Sequence, residues 1–98
     1  MTVPPTFTVH GTSRYERLST KLHKAHLDFG SAENSAIAIL SGDPYNRSRQ
    51  HHIKKLEGIA VGDGQYRLSL GHWRFRYDIA GQVVLLSYCG LRREETYR

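Results

Sequence analysis

Arginine dominates the last third of this chain, where Arg67, Arg74, Arg76, Arg92 and Arg93 are interleaved with Tyr66, Trp73, Phe75, Tyr77 and Tyr88. A guanidinium keeps its charge at any physiological pH and presents a planar fork of N–H donors that fits two phosphate oxygens at once. Lys54 and Lys55 add point charges upstream, and His51, His52 and His72 add groups that exchange protons near neutrality. Tyr97, one residue from the last, is useful as a base only if neighbouring cations lower its pKa from about 10. Together these types can grip a phosphate and move a proton beside it. Metal chemistry is not expected. His51 and His52 are adjacent, a poor geometry for one ion on extended backbone, and the single cysteine, Cys89, lies in an apolar run that suits a small buried residue. No metal and no cofactor are therefore predicted.

The elements that position these groups follow from a change of period along the chain. Phe7 and Val9 share one side of a short extended segment after Pro4 and Pro5. From Thr12, Tyr15, Leu18, Leu22 and Ala25 recur at helical spacing, with Arg14, Arg17, Lys21 and Lys24 over the remaining surface. This helix is expected to end near Asp28 to Gly30. Ser31 then reads as the N-cap of a second helix, with Glu33 in its first turn and Ala36, Ile37 and Leu40 as its apolar stripe. Residues 43 to 52 are polar and aperiodic, a surface connection.

Beyond Gly64 the period becomes two. Tyr66, Leu68 and Leu70 alternate with Arg67 and Ser69; Trp73, Phe75, Tyr77 and Ile79 alternate with His72, Arg74, Arg76 and Asp78; QVVLLSYC is apolar on both faces. Short joints at Gly71 and at Ala80-Gly81 suit hairpins, so these strands should form an antiparallel meander with the most apolar one central. The reading is an α+β fold in one domain, residues 1–98: an N-terminal strand and an αα-hairpin packed on one face of a mainly antiparallel sheet that ends in the three-stranded meander. Strict alternation sends the aromatics toward the helices, with Trp73 in the core, and Arg67, Arg74 and Arg76 to the uncovered face. Arg92 and Arg93 join them as the chain leaves the last strand. These arginines could instead solvate an exposed strand, and Arg92 and Arg93 could pair with Glu94 and Glu95.

With 98 residues the chain can build one core of modest stability margin, and its net charge of +5 favours polyanionic partners. One cysteine permits no internal disulfide, and no apolar run is long enough to span a bilayer. A cytoplasmic protein without a membrane partner is expected.

The order of motifs in HHIKKLEG, YRLSLGHWRFRYDI and VVLLSYCGLRREETYR resembles the RelE/ParE superfamily of bacterial type II toxins. The shared pattern is Lys-Leu-x-Gly before the meander, Tyr-Arg-Leu opening it, an aromatic-Arg pair in the next strand, and a Gly-x-Arg-Arg tail that closes on Tyr-Arg. Tyr97 favours the RelE-like branch, whose members cut messenger RNA in the ribosomal A site. The alternatives are the ParE-like branch, which inhibits DNA gyrase, and a degenerate member that only binds antitoxin or nucleic acid. The resemblance implies a metal-independent endoribonuclease that stops translation, with Arg67, Arg74, Arg92 and Tyr97 as its catalytic set. Lys54, Lys55, Arg76 and Arg93 are then RNA contacts, and His52 and His72 candidate acids or bases. Relatives carry a second basic residue where this chain has Ser69. The partners implied are the ribosome and messenger RNA, a cognate antitoxin, and a hetero-oligomer with that antitoxin on operator DNA.

Overall fold

The computed structural model describes residues 6–94, so Tyr97 lies outside the described residues. The elements run β1 (Thr8–Gly11), α1 (Ser13–Ala25), α2 (Phe29–Gly42), β2 (Ile53–Lys55), β3 (Tyr66–Leu70), β4 (Trp73–Ala80), β5 (Val83–Leu91) and a short 3-10 turn, Arg92–Glu94. The five strands form one sheet in the order β1-β5-β4-β3-β2. β1 runs parallel to β5, and every other neighbouring pair is antiparallel. The fold is α+β, two helices on a five-stranded mixed sheet. Among the described residues no helix is long and apolar enough to cross a membrane.

α1 begins where Thr12, in extended backbone, turns its hydroxyl to accept the Tyr15 N–H at 3.1 Å. Glu16 in the first turn and His23 and Lys24 in the last complement the helix dipole. The helix stops at Ala25, three residues earlier than its pattern suggests. α2 starts at Phe29, not after Ser31, and its N-cap residue, Asp28, makes no side-chain cap bond. That carboxylate is used across the molecule, accepting the Trp73 indole N–H at 3.1 Å. Glu33 therefore falls in the second turn, where it joins the helices instead of capping one. Its carboxylate accepts the hydroxyls of Tyr15 at 2.6 Å and Ser19 at 2.7 Å, and lies 2.8 Å from His23 Nε2.

The core sits between the helices and one face of the sheet. Phe29 stacks on Phe75 and meets Trp73 edge-on, while Leu40, Leu68, Tyr77, Val84 and Leu86 close around them. Ile37, expected in the apolar stripe, is exposed, and so is Ala25; Ala36 and Leu40 carry the burial. The strand expected at the centre is β5, but β4, the middle strand of the meander, holds that place; β1 flanks the start of β5 and β2 extends the sheet beyond β3. Both meander turns have a glycine of positive φ in the first of two loop positions, Gly71 at 59° and Gly81 at 60°, as a type II′ hairpin requires.

Two further features shape the connection between α2 and the meander. Ile53–Lys55 is a strand, held at the sheet edge by β3. Within the loop, Pro44 is fully buried and its carbonyl accepts the Tyr77 hydroxyl at 2.7 Å. Asp43 folds that loop by accepting the Arg47 and Ser48 N–H groups and the Ser48 hydroxyl.

Candidate functional site on the open sheet face

The face away from the helices is built by alternation. On β4, Trp73, Phe75 and Tyr77 are buried while Arg74 and Arg76 point the other way and stay partly exposed. Register then aligns cations across strands: Lys54 pairs with Arg67, Arg67 with Arg76, and Arg76 with Tyr88. A second row aligns Ser69, Arg74 and Gly90. A β-bulge between Arg76 and Tyr77 keeps Tyr88 on this face although Leu86 is in the core. At Gly90 any side chain would run into the Tyr88 ring, so glycine lets that ring lie flat along the strand.

These rows border a groove of about 600 Å³ lined by His51, His52, Lys54, Arg67, Ser69 and Arg74 among others. Arg74 is tethered at its turn by one nitrogen, Nη1, which donates to the carbonyls of Gly71 at 2.8 Å and Trp73 at 2.9 Å. Its other guanidinium donors have no acceptor among the described residues. A cation held in place with unused donors is pre-oriented for an oxyanion. Arg76 is more committed: Nε and Nη2 both donate to the Gly64 carbonyl, at 3.1 and 3.0 Å. Gly64 is itself fixed by the buried Asp78, whose carboxylate accepts the N–H groups of Gly64 and Gln65.

The structure thus brings together Arg67, Arg74, Lys54 and His52, with Arg76 in the next register position. Lys55 lies over the Tyr66 ring, 5.8 Å from its centre, and lines a neighbouring depression of about 640 Å³ with Lys54 and Arg67. The remaining described candidates are set apart. Arg92, Arg93 and His72 line a separate depression of about 540 Å³ with His26 and Leu91. There the Arg92 N–H donates to the His72 carbonyl at 2.8 Å, and His72 Nε2 stands 3.2 Å from Asp28. The Trp73 indole N–H, together with His72, holds the Asp28 carboxyl below the usual carboxylate range.

Sequence reasoning missed Asp28 and Tyr88. Asp28 read as the end of a helix, and nothing local signals its partners 44 and 45 positions later. Tyr88 sat in a run that looked apolar on both faces, and the bulge decides its side. Cys89 faces the core, and burial pushes its thiol up to about 12, so it is protonated and unreactive at neutral pH.

No protein-family model matches the sequence, and neither does any curated protein. The fold does match a solved structure, the archaeal RelE–RelB complex from Pyrococcus horikoshii OT3, with a TM-score of 0.59 and 26% identity over 92% of this chain and 99% of that one. The chain shares the fold of a RelE-like toxin. In this RelE-like chain the strand arginines, Arg67 and Arg74, share one groove, and the tail arginines line a separate depression where β5 runs into the 3-10 turn.

Proposed function

We propose that this chain is the toxin of a type II toxin–antitoxin pair and a metal-independent endoribonuclease that cuts messenger RNA on the ribosome. The observation that carries the reading is Arg74 beside Arg67 in an open groove, tethered by a single nitrogen with the rest of its fork unpaired among the described residues. Cleavage of this kind forms a bond from the ribose 2′-oxygen to phosphorus and breaks the bond to the 5′-oxygen. A base takes the 2′-OH proton, an acid supplies one to the leaving oxygen, and cations offset the charge on the five-coordinate phosphorus.

Arg67 and Arg74 are the cations for that charge, and Lys54 contacts the backbone at the rim. His52, lining the same groove, and Tyr97 in the tail are the proton-transfer candidates. Arg92, with Arg93 and His72, takes the RNA leaving the groove, and His72 is oriented by Asp28. Lys55 and Arg76 serve the backbone less directly. The matched RelE is found with RelB, which supports a cognate antitoxin as partner here, and with it a complex on operator DNA.

The test is cleavage of a defined transcript on purified translating ribosomes with EDTA present. The reading expects cuts at fixed codon positions, leaving a 5′-hydroxyl and a 2′,3′-cyclic phosphate. Tyr97→Ala should keep the melting temperature and lose most cleavage, and Tyr97→Phe separates stacking from proton transfer. Intact transcripts with inhibition of gyrase supercoiling would overturn the nuclease reading in favour of a ParE-like activity.

A further inference from the structure

Helix α1 carries cations that the groove does not use. Arg14, Arg17, Lys21 and Lys24 follow one another at intervals of three, four and three, which puts them on a single stripe of a helix with about 3.6 residues per turn. All four are exposed, while Tyr15, Leu18 and Leu22 on another flank pack into the core. Among the described residues no carboxylate forms an ion pair with any of the four. The helix's neighbouring acid, Glu33, is occupied by Tyr15, Ser19 and His23. A solvating helix face usually mixes signs, and this one does not.

The stripe also continues the cation row of the open face. Arg14 lies 5.6 Å from the centre of the Tyr88 ring, and Tyr88 is the ladder partner of Arg76, which leads to Arg67 and Lys54. Lys21 reaches the same edge, lining a depression of about 400 Å³ with Tyr88 and Gly90. Cations therefore cross the sheet, turn over the β5 edge at Tyr88, and run along α1.

We propose that the α1 stripe is a second phosphate-docking surface, which holds the backbone of double-helical RNA outside the cleavage groove. From Arg14 to Lys24 it extends about 15 Å at 1.5 Å per residue, long enough to meet several successive phosphates of one duplex strand. Its long, unpaired side chains suit the shape and phosphate recognition by which RNA duplexes are bound. The inference concerns binding alone and does not depend on the nuclease reading. Normal duplex binding by a chain that cuts nothing would sink that reading and leave this one.

The experiment uses the full chain and a fluorescent RNA duplex of about 20 base pairs, enough for contacts across successive grooves, with affinity followed against salt. R14Q/R17Q/K21Q/K24Q should melt as the unaltered protein does and bind at least about 10-fold more weakly, with a log–log salt slope shallower by about 3, since each phosphate contact contributes roughly 0.9. K21Q/K24Q, a milder change, should lose about half of that slope, and R14K/R17K should lose none. Unchanged duplex affinity and slope in both glutamine variants would overturn the proposal. So would unchanged duplex binding accompanied by weaker binding of poly-glutamate, which would assign the stripe to an acidic protein.

Discussion

The two faces of β4 carry alternating residues of one eight-residue strand and meet opposite fates. Toward the helices, Trp73, Phe75 and Tyr77 are packed, and the polar atoms among them are satisfied: the indole by Asp28, the Tyr77 hydroxyl by Pro44. Toward the open side, Arg74 and Arg76 donate, among the described residues, only to backbone carbonyls, which position their charge without neutralising it. One face spends its chemistry on stability, and the other keeps it for a ligand. Substitutions should separate the two quantities accordingly.

The largest effect on stability is expected at Phe75, fully buried beneath Phe29. Phe75→Ala should cost about 3–5 kcal/mol in urea unfolding, through lost transfer energy and the cavity left behind. A cost near zero would mean that the helices do not seal this face.

Next is Glu33, whose carboxylate serves three partners on α1. Glu33→Ala should cost about 2–3 kcal/mol, because it leaves the Tyr15 and Ser19 hydroxyls without their charged acceptor. Burial alone would raise the pKa of Glu33, but the hydrogen bonds from Tyr15, Ser19 and His23 outweigh it and bring the value below 4.5. A depressed carboxylate stabilises the fold above its unfolded pKa and loses that contribution as pH falls through the folded value. The stability gap between the native chain and Glu33→Gln should therefore narrow on acidification below 4.5; a gap that widens would contradict this.

A smaller loss is expected at Gly64, whose carbonyl accepts from the Arg76 guanidinium. Its φ is 83°, and a Cβ there would stand 2.8 Å from the Arg76 Cβ and the Ser87 hydroxyl. Gly64→Ala should cost about 1–2 kcal/mol of backbone strain and displace the carbonyl that holds Arg76. Thermal melts combined with RNA affinity would show whether Arg76 acts through its position.

Much of this was legible in the residues, and the reason is locality. The meander, its hairpin glycines and the segregation of arginine from aromatic side chains all follow from a period of two and from turn chemistry within a few residues. What escaped notice depends on distant partners. The parallel pairing of β1 with β5 joins residues 8 to 11 with 83 to 86, and neither segment encodes the other. Asp28 looked free to end a helix until Trp73 claimed its carboxylate. Ile53–Lys55 is too short for a period and becomes a strand only because β3 lies beside it. The candidate site follows the same rule: Arg67 and Arg74 were joined by alternation, whereas the separation of His72 and Arg92 from them required the three-dimensional arrangement.

The smallest change in stability belongs to the open face. Arg67→Ala/Arg74→Ala should melt within about 1 kcal/mol of the unaltered chain, as expected for substitutions outside the core. Its rate of transcript cutting on translating ribosomes in EDTA should nevertheless fall by at least about 10²-fold, the loss expected when a cation aimed at developing phosphate charge is removed. The decisive measurement is that cleavage rate, taken beside the melting curve of the same preparation. A rate equal to that of the unaltered protein, from a folded double variant, would contradict the claim that this face carries the chemistry.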